Sequence, residues 1–230
     1  MKKFFIVATT VLFAVAVFIF IITFSIGLPI YCRFFYYLQI EPLGIPEITG
    51  FDYATIKSSY DAVLDYLVLP NRPFSVGAFK YSESGASHFA DCKVLFDLNA
   101  VALIISTAVI VLTLILDKTG VVKLKKINGF SVSLFSAIGI FALIIILAIV
   151  VAIDFDSAFT AFHHLFFPGK DNWTFHPYKD QIILALPAQF FMNCAILIGA
   201  SIFLLSAGII TFCLIKRKKT ANSNKIVDKD

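Results

Sequence analysis

The side chains best suited to proton chemistry in this chain are its four histidines, His88, His163, His164 and His176, and all four lie between long apolar runs. Imidazole exchanges a proton near neutral pH without help from its surroundings, so a histidine cluster is the natural seat of acid/base work. His88 stands in Ser84-Gly85-Ala86-Ser87-His88-Phe89-Ala90-Asp91-Cys92-Lys93. In a helix Asp91 falls one turn from His88, where a carboxylate fixes the tautomer of the ring and favours its protonated form. On spacing alone the commoner meaning of such a pair is a solvated surface contact.

The second histidine group reads Ala161-Phe162-His163-His164-Leu165-Phe166-Phe167-Pro168-Gly169, followed by Asn172-Trp173 and Asp180. Neighbouring helical residues diverge by about 100°, so only one of the two imidazoles faces a given pocket. Phe162, Phe166 and Phe167 would form a greasy, water-poor slot suited to acyl chains. The competing reading is an aromatic belt at a lipid surface, which Tyr31, Tyr36, Tyr37, Trp173 and Tyr178 also fit. A zinc set of His88, His163, His164 and Asp91 can be written down, but no His-x-x-x-His or Cys-x-x-Cys spacing supports it, and no metal or other cofactor is expected. The chain also lacks a Gly-x-Ser-x-Gly elbow, a phosphate-binding glycine loop and a dinucleotide fingerprint. Acyl chemistry would therefore run on histidine acid/base catalysis, with the substrate supplying the nucleophile.

The elements that position these residues follow from composition. Apolar residues make up 59% of the chain and charged residues 15%, so lipid must be the solvent for much of it. Crossing a bilayer core takes about 20 apolar helical residues, and four uncharged runs qualify: 4–30, 98–116, 132–153 and 191–215. None carries Asp, Glu, Lys, Arg or His, which disfavours an ion carrier or voltage sensor. The first run continues well past Ala14-Val15-Ala16 and reads as an uncleaved anchor, while the bulky Tyr31 before Cys32 argues against a lipidation site. The expected fold is all-α, four transmembrane helices with a small helical cap.

Orientation comes from the basic residues. Lys2, Lys3, Lys118, Lys123, Lys125, Lys126 and the cluster Lys216 to Lys219 flank one side, with most acids on the other. The positive-inside rule puts both termini, the 117–131 loop and the tail 216–230 in the cytoplasm, and a cap of 31–97 and a loop of 154–190 outside. The tail is polar and unpatterned and reads as disordered. The formal charge of +4 reflects topology and contact with lipid head groups rather than nucleic-acid binding. Pro29, just before the cap, and Pro42, Pro46, Pro70 and Pro73 within it read as breakers, and Ile56, Tyr60, Val63, Leu64 and Leu67 share one face of a helix spanning Thr55 to Leu69. Gly77 and Gly85 suggest a loop before a helix that leads into the second run. Cys32 and Cys92 could be bridged outside the cell, but free thiols are the expectation for all four cysteines. Ala195-x-x-x-Gly199 is ordinary packing within one bundle, so a monomer is expected.

Taken in order between the apolar runs, His88-Phe89-x-Asp91-x-Lys93, Phe162-His163-x-x-Phe166-Phe167, Asn172-Trp173, Asp180 and Pro187-x-x-Phe190-Phe191 resemble the bacterial lipoprotein intramolecular transacylase family. The resemblance implies four membrane helices under an extracellular cap, with two catalytic histidines where cap and membrane meet. It implies an intramolecular transfer on a diacylated lipoprotein in the cell membrane: the sn-2 acyl chain of the diacylglyceryl group moves to the α-amine of the N-terminal cysteine, giving the lyso form. His88 and His163 become the catalytic pair, His163 being favoured over His164 by Phe162 before it and Phe166-Phe167 after it. Asp91 or a backbone carbonyl would orient His88, and Lys93 or the Trp173 N–H would steady the oxyanion or the substrate. Phe162, Phe166, Phe167, Asn172 and Asp180 would line or support the site. The alternative is a non-enzymatic membrane protein whose cap binds lipid or a partner, its histidines incidental or pH-sensing.

Overall fold

Hydrocarbon offers no hydrogen-bond partners, so an apolar run that crosses it must satisfy its backbone internally, as a helix does. The structure, a computed structural model, describes residues 2–227 and is all-helical in that range apart from one isolated bridge between Ile127 and Phe130. In chain order the helices are α1 (Lys2–Tyr31), α2 (Phe34–Tyr37), α3 (Ile45–Thr49), α4 (Tyr53–Val68), α5 (Glu83–Lys118), α6 (Val132–Ile153), α7 (Phe155–Phe166), α8 (Ile182–Ala185) and α9 (Ala188–Val227). Four of them, α1, α5, α6 and α9, are long and apolar enough to cross a membrane.

The third span has the expected limits, and the other three helices run beyond theirs. Pro29 does not break α1 but lies inside it. The helix ends two residues later, so the missing N–H and the ring cost little there. Gly85, expected in a loop, sits in the first turn of α5, which is uninterrupted for 36 residues, or about 54 Å. His88, Asp91 and Lys93 therefore stand on the same helix as the second span. The expectation of a disordered tail is corrected as well, because α9 continues through Lys216–Lys219 to Val227. Extending an existing helix costs far less than nucleating one. Residues 228–230 of that tail lie outside the described range.

The chain divides into two compact units. One comprises the chain up to Ser25, Val101–Ala148 and the part from Gly199 onward. Its connecting loop is pinned by Lys125 N donating to Thr10 Oγ1 at 3.0 Å, and Ser136 Oγ donates to the Ala14 carbonyl at 2.8 Å.

The other unit, Ile26–Ala100 with Ile149–Ile198, contains all four histidines. Its core is built on α4, whose Ile56, Tyr60, Val63, Leu64 and Leu67 are all buried, as their spacing predicted. Asp52 caps α4 through the Thr55 N–H at 2.7 Å, and Leu69 turns extended before Pro70, as a residue preceding proline must. Tyr36 stacks on Tyr60 at 3.8 Å and donates to the Ala185 carbonyl at 2.8 Å. It is wholly buried, and so is a core residue rather than part of an aromatic belt. On the polar face of α4 the Arg33 guanidinium is shared by Asp61 and Asp65. All four cysteines are free thiols.

Candidate active site

Two helices bring the histidines together. The start of α5 is held by Asp180, whose Oδ1 accepts from both the backbone N–H and the hydroxyl of Ser82 at 2.8 Å. Ser82 in turn caps the helix through the Gly85 N–H at 3.0 Å. One turn further on, His88 points into the unit and is 7% exposed. The start of α7 is capped by Asp154, which accepts from Ser157 N at 3.0 Å. On α7 the buried residue is His163, at 6% exposure.

The two imidazole centroids lie 5.8 Å apart. Aromatic rings enclose them: the Phe167 centroid is 4.9 Å from that of His88 and 5.8 Å from that of His163, Phe175 sets its edge against His88 at 5.5 Å, and Phe159 and Trp173 lie 4.3 and 4.7 Å from His163. Rings so packed exclude water and hold both imidazoles in place.

Their hydrogen bonds differ. His163 Nδ1 lies 2.7 Å from the Phe159 carbonyl, one turn earlier on α7. A carbonyl only accepts, so Nδ1 carries the proton and Nε2 is left with a lone pair. Burial holds the His163 pKa below the ordinary imidazole value, the Phe159 carbonyl working against that shift and the charge on His164 adding to it. At neutral pH His163 is thus a neutral base. His88 Nε2 lies 3.4 Å from Cys92 Sγ, and its Nδ1 is buried with no hydrogen-bond partner among the described residues. A pair of this kind can take a proton from one group and give one to another.

Several residues expected to act directly do something else. Asp91 does not bond to His88: its carboxylate takes Lys170 Nζ and, at 3.0 Å, Asn172 Nδ2. Lys93 Nζ donates to the Tyr66, Leu67 and Leu69 carbonyls, closing the end of α4, so it is no oxyanion donor. The Trp173 indole N–H is also committed, to the Lys170 carbonyl at 3.0 Å, and only its ring faces His163. Asn172 ties Ser87 and Asp91 on α5 to the loop after α7. Asp180 supports the start of α5. Of the three phenylalanines, Phe167 is buried against both histidines, whereas Phe162 and Phe166 are nearly half exposed. His164 is exposed at the edge of Trp173, and His176 accepts from the Tyr178 N–H.

Reading the sequence missed Phe159 and Cys92, although both stand four residues from a histidine, the spacing that puts helical side chains on one face. It also missed Phe175 and Lys170, which no local spacing links to either histidine.

The likeness to known proteins concerns the fold and the family. A membrane-integral lipoprotein intramolecular transacylase Lit from Bacillus cereus matches with a TM-score of 0.82 at 24% identity, covering 98% of this chain and all of that one. Variants of that enzyme with a histidine replaced by arginine or by alanine match at TM-score 0.75, with 23% and 24% identity, over 98% and 95% of this chain and 96% and 97% of theirs. At such identities these likenesses establish the fold. No curated protein matches the chain. The sequence model for the lipoprotein intramolecular transacylase Lit, however, matches residues 11–191, most of the chain, with both buried histidines inside the match. With the fold and the sequence model in agreement, the chain belongs to the lipoprotein intramolecular transacylases, a family of membrane-integral acyltransferases.

Proposed function

We propose that this chain moves the sn-2 acyl chain of the diacylglyceryl group on a lipoprotein's N-terminal cysteine to the α-amine of that cysteine, with His88 and His163 as acid and base. The observation that carries the reading is the pair itself: two imidazoles 5.8 Å apart, each at most 7% exposed, in an aromatic cage with a free lone pair on His163. The amine attacks the ester carbonyl, forming an N–C bond while one imidazole takes the amine proton. The C–O bond to the glyceryl carbon then breaks, and the departing oxygen takes a proton from the other imidazole. The products are an amide and an sn-2 hydroxyl, and the imidazoles end with the number of protons they began with.

Nucleophile and ester belong to one substrate molecule, so holding them in register supplies much of the rate, as in other well-oriented intramolecular reactions. One chain supplies both histidines, and the reading needs no second copy. The substrate's acyl chains lie in the membrane and its amine at the outer surface. The distribution of basic residues supports the same placement, with the spans 4–30, 98–116, 132–153 and 191–215 oriented so that residues 31–97 and 154–190 face outward and 117–131 inward.

The test is to express the chain in a host that makes diacylated lipoproteins and to read a reporter's N-terminus by mass spectrometry. The expected product is N-acyl, S-monoacylglyceryl cysteine, lost with His88→Ala or His163→Ala and retained with His176→Ala. Unmodified diacylglyceryl cysteine from the wild-type chain would overturn the reading in favour of a cap that only binds lipid or a partner.

A further inference from the structure

His88 and His163 present themselves differently, and the difference originates in their neighbours. The Phe159 carbonyl fixes His163 with Nδ1 protonated and Nε2 open. For His88 the corresponding neighbour is Cys92, one turn on along α5, with Sγ 3.4 Å from Nε2. The other ring nitrogen, Nδ1, is buried and unpartnered. Sulfur is a weak acceptor and an imidazole nitrogen a good one, so the stronger of the two possible bonds runs from the thiol to Nε2. At neutral pH a thiol with no bonded cation keeps its proton, and among the described residues the partner of Cys92 Sγ is the His88 ring rather than a lysine or arginine. The proton on the imidazole then belongs on Nδ1.

We infer that Cys92 is a positioning residue that sets the tautomer of His88 and thereby makes His88 the acid and His163 the base of the pair. The assignment rests on the transacylase reading above and deepens it. His163 Nε2 takes the amine proton as the N–C bond forms. As the glyceryl oxygen leaves with the C–O bonding electrons, it takes the Nδ1 proton of His88 while the thiol proton moves to Nε2. His88 stays neutral, and the negative charge comes to rest on sulfur rather than on an imidazolate. The His163 imidazolium then returns its proton to His88 Nδ1, and Nε2 returns its proton to the thiolate. No proton is gained or lost over the cycle, and no oxidant, metal or covalent acyl-enzyme is required.

The same contact could be read as a nucleophilic cysteine with its base, and the two readings differ in what they leave on sulfur. A nucleophile would carry the acyl chain as a thioester, whereas a positioning thiol carries only a proton.

The experiment uses the full chain in detergent micelles with 15N-labelled histidine rings, the His88 signals being assigned by their loss in His88→Gln. Nitrogen shifts separate the two neutral tautomers. The wild type is expected to show His88 protonated on Nδ1, Cys92→Ser to keep that state through its hydroxyl, and Cys92→Val to lose it in favour of a mixture. In turnover on a diacylated lipopeptide, Cys92→Val should lower kcat at least tenfold, leave KM within twofold and displace the pH profile, and Cys92→Ser should recover part of kcat. A wild-type His88 protonated on Nε2, a Cys92→Val variant with unchanged tautomer and kcat, or an acyl thioester trapped on Cys92 would each overturn the inference. The tautomer is read without substrate, so failure here is distinct from failure of the transacylase reading, which would appear as an unmodified reporter.

Discussion

Gly85 is the position where a single methyl group tests how the site is held. A Cβ built there would come within 2.2 Å of Asp180 Oδ1 and 3.0 Å of its carboxyl carbon, with no room for either. Gly85 lies in regular helix, so alanine would otherwise be the better residue by about 1 kcal/mol. The methyl must displace the carboxylate that accepts from Ser82 N and Oγ. Hydrogen bonds to a charged group contribute about 1.5–3 kcal/mol each, and Asp180 is only 5% exposed, so little water can replace them. Gly85→Ala should therefore cost about 2–5 kcal/mol after the helix gain is deducted. Unfolding in detergent can be followed through the fluorescence of Trp173, the one tryptophan, whose ring packs on His163 at 4.7 Å. The sign in a second background is the sharper test. In Asp180→Ala the obstacle is gone, and Gly85→Ala should stabilise that variant by about 1 kcal/mol. If Gly85→Ala is neutral or stabilising in the wild type, the close approach does not govern the site and the reasoning is wrong.

Other outcomes follow from the same contacts. Because burial lowers the His163 pKa, its imidazole remains a neutral base below the usual value near 6.5, and the acid limb of the rate profile should fall below that value. The sign for stability is the same. The unfolded chain takes up the proton first as pH falls, so this contribution is complete above about 6.5 and is lost as pH drops through the folded value. A His163→Gln variant should show a flatter fall in stability over that range when melting is measured against pH. Lys93→Met should lower stability by about 1–3 kcal/mol, because it uncovers two α4 carbonyls and that of Leu69 just after the helix, while leaving the pH profile of turnover unmoved. A change in that profile would return Lys93 to the reaction. Lys170→Ala removes a half-exposed ion pair and should cost no more than about 1 kcal/mol of stability. It should nevertheless lower kcat severalfold by loosening the loop that seats Phe167 and Trp173, an effect visible as increased quenching of Trp173 by iodide.

The limits of what could be read from residues alone lie where local spacing gives way to choice of partner. The spans were legible because lipid leaves a long apolar run no option but a helix, and the α4 face was legible because Ile56, Tyr60, Val63, Leu64 and Leu67 repeat with the helical period. The pairing of His88 with His163 was not available from periodicity, since 75 residues separate them, and it came from the order of motifs. Asp91 shows the reason most plainly. Its place one turn from His88 was read correctly, but a carboxylate goes to its strongest donors, and a lysine and an amide arrive from residues 170 and 172. Lys93 follows the same rule, drawn to the carbonyls at the end of α4 that the helix itself leaves unpaired. The groups that do orient the histidines, the Phe159 carbonyl and the Cys92 thiol, lie four residues away on the same helices. A backbone carbonyl was among the expected orienters, though for His88, and Cys92 was weighed only as a thiol that could be bridged. Neither group is charged, and in a cage of aromatic rings that is an advantage: a carboxylate would favour the protonated imidazole and cost His163 its lone pair, whereas a carbonyl and a thiol fix the tautomers and keep both rings neutral. On the proposed reading, in which the site deprotonates an amine beside lipid, dipoles serve better than charges, and the orienting residues are accordingly uncharged.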